Sequence, residues 1–322
     1  MIGYIIRRLL STLLLLFGVA TLVFIILHTL PGDPTSVFLS PRVPPQVIER
    51  LKVEFGLDQP LTVQYWNWLK GILHGELGFS FTHQKDVLEI VFEAFGNTAS
   101  LAIVALLIEI TIGILAGWIA ARYENSWIDK VISYAALSFY TVPVFWVATI
   151  LLLLFSYFTG ILPSSQMHSI GAEQLSSLDY IMDFFSHVIL PASTLGIAGA
   201  AGLSLFVRSQ LSSIMREQYI TVARSFGLTE SKVLVRYALP NALLPVITVV
   251  GMELGGLMSG VLITETMFAW PGLGRMTVSA IFARDYPLVI GCTMIAGAAV
   301  VVGNLLADIL YCLADPRIRI ES

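Results

Sequence analysis

The chain is 322 residues long, 56% of them from the set AVILMFWYC and only 12% charged, with a formal net charge of −4. Its mean hydropathy is +0.82. Soluble domains carry about 25% charged residues, so a water-soluble globule is excluded and an integral membrane protein remains.

A spanning helix needs about 20 mainly apolar residues. Runs of that kind fall at residues 9–30, 98–121, 131–158, 188–207, 241–268 and 288–313, and they predict an all-α polytopic membrane protein with six transmembrane helices. The first run follows Arg7-Arg8, is too long for the core of a signal peptide, and ends in Pro31-Gly32-Asp33-Pro34 without a small-residue cleavage site. A retained signal anchor is therefore expected. Between the first two runs, residues 31–95 predict a small helical extracytoplasmic segment. One helix starts after Pro44-Pro45, a second runs from Pro60 to Gly75, and a third amphipathic stretch covers Asp86 to Phe95. Its aromatic side chains (Tyr65, Trp66, Trp68, Phe79, Phe81) suit a membrane interface. Two readings stand for this segment, a cap packed on the bundle and a docking face for an extracytoplasmic partner.

The division that follows is a cytoplasmic amino terminus and first helix (1–30), the outer segment (31–95), a five-helix core (96–313) containing a cytoplasmic loop (208–240), and a cytoplasmic tail (314–322). With this arrangement eleven of the 18 Lys and Arg residues lie inside, while the two short outer loops hold only Arg275 and Arg284. That bias places both termini in the cytoplasm. In a bacterium that membrane would be the inner one. Cys292 and Cys312 sit about 30 Å apart on the last helix and read as small core hydrophobes. No His and Cys spacing fits a metal site, so no metal ligand is expected.

Residues 208–240 carry five basic and two acidic side chains with apolar positions at helical spacing. Gly227 falls where the first of two helices must stop, and Thr229 followed by Glu230 suits the start of the second. The prediction is a helix, a glycine turn and a second helix projecting into the cytoplasm, with Pro240 ending the second helix or bending it into the fifth span.

Four carboxylates, Glu109, Glu253, Glu265 and Asp308, fall inside apolar runs. Each costs at least about 2.5 kcal/mol on insertion scales unless it faces protein or water. Satisfied buried carboxyls are one reading. The other makes Glu253, Glu265 and Glu109 candidate groups along a translocation path, with Glu253 or Glu265 attracting a cationic group. Gly251-x-x-x-Gly255, Gly256-x-x-x-Gly260 and the row Ala192, Gly196, Ala200 are expected to form a subunit interface and cavity, because small residues let helices approach closely. Trp270-Pro271-Gly272, followed by the short apolar stretch 276–282, reads either as an outer gate or as an interfacial anchor.

The loop resembles the coupling loop of importer permeases of the ATP-binding-cassette class, whose pattern is Glu-Ala-Ala, three residues, Gly, nine residues, Ile, one residue, Leu-Pro. Ala223, Gly227, Leu239 and Pro240 match it, whereas Thr221, Val222 and Tyr237 depart from it. The departures resemble the peptide and nickel branch, which reads close to Tyr-Ile-x-Thr-Ala-Arg-x-x-Gly-Leu where this chain has Tyr219 to Leu228. Further matches are Phe55-Gly56-Leu57-Asp58-Gln59-Pro60-Leu61, Gly75-Glu76-Leu77-Gly78, residues 268–275, Arg284-Asp285-Tyr286-Pro287 and Asp315-Pro316-Arg317. In order and together, they are similar to the dipeptide, oligopeptide and nickel importer permeases over nearly the whole chain.

That resemblance implies a type I importer permease fold and a transport subunit that is not itself an enzyme. It also implies a second homologous permease, paired as a heterodimer, two ATPase subunits that hold ATP and Mg, and a soluble substrate-binding protein outside. Thr221, Val222, Ala223, Arg224, Gly227, Leu239 and Pro240 become the coupling residues, with Arg224 placed for a charged contact. The chain lacks Gly-x-x-x-x-Gly-Lys-[Ser/Thr], so ATP must be hydrolysed by another subunit. No cofactor on this chain and no nucleic-acid partner is expected. Di- or oligopeptides are the implied cargo, with nickel or a metal chelate as the alternative and a proton-coupled secondary transporter as the reading from a different class.

Overall fold

A computed structural model describes residues 2–29, 58–80 and 82–314. The helix expected after Pro44-Pro45 and the carboxy-terminal tail lie outside the described residues. The first helix, α1, is Ile2–Thr29. The outer helix α2, Leu61–Leu73, starts after Pro60 as expected and packs on α1. Phe24 stands 5.2 Å from the Tyr65 ring and 5.3 Å from the Trp68 ring, and the Thr21 and Tyr65 hydroxyls share a 2.7 Å hydrogen bond. A two-residue hairpin follows, β1 (Phe79–Ser80) against β2 (Lys85–Asp86). Buried Asp285 ties it to the last helix, accepting from Ser80 Oγ at 2.6 Å and from the Thr82 amide at 3.0 Å.

The third outer stretch is not a separate helix. From Val87 the chain runs without interruption to Arg122 as α3, 36 residues, because no proline between Asp86 and Arg122 breaks the hydrogen-bond ladder. The boundary expected at residues 95–96 therefore lies inside a helix. The third run is not one straight span either. It forms α4 (Trp127–Thr141) and α5 (Val144–Leu151, continued by a wider π turn through Phe158), bent by 104°. Pro143 causes the bend, since the residue before a proline is driven out of helical geometry, and Val142 is extended at φ −72, ψ 130. Next comes α6, Ser177–Ile214, 38 residues with Pro191 inside it.

The loop expected in the cytoplasm holds α7 (Gln218–Ser225) and α8 (Glu230–Val233). A π segment, Leu234–Ala238, carries α8 on into α9, Leu239–Met258. Pro240 thus neither ends nor sharply turns the helix. It sits inside the continuous stretch Glu230–Met258, directly after the π segment, and such a local widening of the ladder is one way a helix accommodates a residue with no N–H to donate. The fifth run stops at Met258 and restarts as the short α10, Leu262–Met267, after Gly260 at φ 110. The outer loop contains α11 (Leu273–Phe282), and α12 is Tyr286–Ala314.

By length and composition, the described residues contain four helices able to cross a membrane, or five if the bent pair is one crossing. The described part of α1 adds a shorter apolar helix, Leu13–Ile26, and the described residues leave the expected count of six unconfirmed.

Two close helix pairs make the core, and both use the small residues expected at a subunit interface. A methyl group on Gly196 of α6 would sit 2.8 Å from the Ala105 carbonyl oxygen of α3, and one on Gly255 of α9 would sit 2.9 Å from the Val300 carbonyl oxygen of α12. Gly196, Gly251 and Gly255 are thus consumed within the chain, whereas Gly256 faces open space. Leu14, Trp127, Tyr134 and Tyr157 remain exposed on α1, α4 and the π turn, an apolar surface suited to lipid or to another subunit.

Candidate functional sites along the bundle

At the end predicted to be cytoplasmic, α7 is an amphipathic peg. Ile220 and Ala223 bury against Leu211, Val233 and Ala238, while Thr221, Val222, Arg224 and Phe226 stay exposed. Phe226 is 81% exposed, a large apolar group held in water at the tip. Gly227 follows at φ 77 with nothing within 4 Å of where a β-carbon would sit, so backbone conformation alone explains the glycine. Leu239 is partly buried under the peg and Pro240 is exposed.

Arg224 is engaged within the chain. Its guanidinium donates to both Glu230 oxygens, at 2.7 and 3.2 Å, and to the Met215 carbonyl. It therefore staples α7 to α8 across the glycine turn. The corner between α3 and α4 is tied to α6 in the same way. Arg208 donates to buried Asp129 at 2.5 and 2.7 Å, and Arg216 donates to Glu124 at 3.1 Å. The sequence reading missed the Asp129–Arg208 pair, since 79 residues separate the partners. The available signal was Ser126-x-x-Asp129, a capping pattern with a carboxylate left over.

At the opposite end, Trp270 and Gly272 are buried and Pro271 is exposed. Trp270 Nε1 donates to the Asn97 carbonyl at 2.9 Å, and Asn97 Nδ2 donates back to the Pro271 carbonyl at 3.0 Å. Glu265, placed by its sequence among path residues, lies fully buried behind this segment. It accepts from Thr98 Oγ at 2.8 Å and from the Arg275 amide at 2.8 Å, with the Val261 amide at 3.4 Å. Thr98 in turn accepts from the Leu273 amide at 2.7 Å. Glu265 thus braces the segment and has no open face. Asn97 and Thr98 were not singled out from sequence, because polar side chains near a helix entry carry no distinctive spacing.

Between these ends, Glu109 of α3 is 3% exposed and pressed against Gly199 of α6. Across from it stands the half-buried Glu253 of α9, within hydrogen-bond reach. One oxygen of each, Glu109 Oε1 and Glu253 Oε2, has no partner among the described residues. The two path candidates therefore meet where α9 crosses the α3–α6 pair. The side chain of Asp308 lies outside the described residues.

A family model described as the inner membrane component of binding-protein-dependent transport systems matches residues 113–320, and a model of that component's N-terminal region matches residues 1–102. The chain belongs to this family: it is a permease subunit of an ATP-driven importer, a multi-pass inner-membrane protein and not itself an enzyme. It is 37% identical over 320 residues to the oligopeptide transport system permease protein AppB of Bacillus subtilis, covering 99% of this chain and all of that one. It is 35% identical over 319 residues to the glutathione transport system permease protein GsiC of Escherichia coli K12, 99% of both chains. A putative peptide transport system permease of Brucella abortus is 38% identical over the full length of both. Among solved structures, the MetNI methionine ABC transporter in inward-facing conformations shares the fold, with a TM-score of 0.55 at 14% identity over 71% of this chain and 97% of that one.

Proposed function

We propose that this permease forms half of a pathway that takes up di- or oligopeptides, including modified peptides of glutathione type, across the cytoplasmic membrane. It pairs with a second, homologous permease. Two ATPase subunits carrying ATP and Mg bind from the cytoplasm, a substrate-binding protein delivers cargo from outside, and both termini are cytoplasmic. The full-length likeness to permeases named for peptide and glutathione transport supports the cargo class. The observation that carries the mechanism is the peg at residues 218–226, rooted by Ile220 and Ala223 and exposing Val222 and Phe226.

A short helix anchored on one face transmits displacement without melting, and the Arg224–Glu230 staple makes α7 and α8 move together. Thr221, Val222, Ala223, Arg224, Gly227, Leu239 and Pro240 are the coupling residues of this reading. ATP binding draws the two ATPases together, the pegs follow, and the bundles exchange inward-facing for outward-facing geometry. Trp270, Pro271 and Gly272 serve as the outer gate.

The test is co-purification of the assembled importer, followed by ATPase and uptake assays with its binding protein, with peptides and nickel chelates in parallel. Peptide-stimulated hydrolysis is expected. Stimulation by nickel chelates alone would overturn the cargo class. Gly227→Leu places a side chain in a left-handed conformation that costs about 1–2 kcal/mol, and is expected to preserve membrane insertion while uncoupling hydrolysis from uptake. Glu253 is the pathway carboxyl of this proposal, facing Glu109. Glu253→Gln is expected to lower uptake of peptides with an added cationic side chain more than that of neutral ones, measured as a ratio of initial rates.

A further inference from the structure

Residues 159–176, between the π turn and α6, cross over the outer gate without any regular element except the 3-10 turn at Ala172–Gln174. Three sets of contacts hold this crossing in place. The Gln166 amide donates to the Phe268 carbonyl at 2.8 Å, directly beside the gate. Met167 packs into the cluster that contains Trp270, and Leu162 packs on Phe268. Beyond them, Asp183 on the first turns of α6 accepts from the Ser169 amide at 3.1 Å and from His168 Nδ1 at 2.9 Å, while the His168 ring stacks on Tyr180 at 4.3 Å. Phe184 completes the contact, its ring 6.0 Å from Trp270.

The backbone at this crossing is strained on both sides of the same hydrogen bond. Gln166 has φ 73 and Ala269 has φ 50, left-handed values that cost a non-glycine residue about 1–2 kcal/mol each. Such strain persists only where surrounding contacts over-determine it. At the two ends of the crossing stand Gly160 at φ 62 and Gly171 at φ 84, neither with an atom close to where a side chain would sit. Their glycines are required by conformation alone, which is what a pair of hinges needs.

We propose that residues 160–171 are a hinged strap that holds the outer gate closed, with Asp183 as its clasp and Gln166 as its tether to the gate. The inference rests on the reading of residues 270–272 as the gate. Closing the strap strains Gln166 and Ala269, and the clasp and the apolar contacts of Met167 and Leu162 hold it there. Release relaxes both backbones. The open and closed arrangements are thereby brought close in energy, as a gate that cycles at each turnover requires.

The test uses the assembled importer with Cys292 and Cys312 replaced by alanine. Ser169→Cys with Asp183→Cys, joined by a short thiol linker that a reductant cleaves, is expected to lower uptake at least tenfold and to recover on reduction. Uptake unchanged within twofold under full crosslinking would overturn the proposal. As an independent readout, a thiol placed by Met167→Cys is expected to be labelled several-fold faster during turnover than at rest, and Asp183→Asn should give the fast rate already at rest. Equal labelling in all three conditions would also overturn it. Binding-protein-stimulated uptake by the uncrosslinked importer tests the transport function separately, so failure of the strap and failure of that function are told apart.

Discussion

Glu265 accepts hydrogen bonds from Thr98, Val261 and Arg275 with no exposed surface, so an amide nitrogen in place of either oxygen sets donor against donor. Glu265→Gln is expected to destabilise the protein by about 1–3 kcal/mol, the cost of one orphaned buried donor, read as a lower midpoint of thermal unfolding in detergent. A loss of uptake without that shift would return Glu265 to the path. Position in an apolar run made Glu109, Glu253 and Glu265 look alike in sequence. The difference between them came from partners on distant elements, which one sequence does not display. Gly227 was the opposite case: its need for a left-handed backbone follows from a helix stop between two amphipathic segments, all of it local. Arg224 fell between the two. Its charge was legible, but in sequence Glu230 reads only as a residue suited to a helix start and not as a partner of Arg224.

At the scale of elements, the small-residue rows were legible and their partners were not. Gly251 and Gly255 let α9 lie against α12, and Gly196 lets α6 lie against α3. Spacing says that a close approach happens but not whether the other helix belongs to the same chain. Gly255→Leu drives a side chain into the Val300 backbone and is expected to reduce the yield of correctly folded permease before any second subunit binds, measured by size-exclusion chromatography of the chain expressed alone. Normal folding with lost pairing would put this seam back at a subunit interface. The bend at Pro143 and the break at Gly260 divided two apolar runs for the same underlying reason. Hydropathy averages over a window and does not see a single residue that changes backbone direction.

Across the whole molecule, α6, like α3, reaches from one end to the other. It bears Asp183 and Phe184 beside the strap and Arg208 beside the α3–α4 corner, about 37 Å apart at 1.5 Å per residue. The family and general architecture could be argued from ordered motifs along the sequence, but this linkage could not, because His168, Asp129 and Trp270 meet α6 only in three dimensions. Pro191 stands between the two ends, and a proline inside a helix removes one ladder hydrogen bond and admits a kink. Pro191 is the one proline in the helix, eight residues from Asp183 and seventeen from Arg208. A tilt of the longer arm is expected to reach the shorter one as rotation about that point. Pro191→Ala would stiffen the helix: the expected outcome is a higher melting temperature together with slower uptake per ATP hydrolysed, the mark of a machine that has gained strength at its pivot and lost stroke.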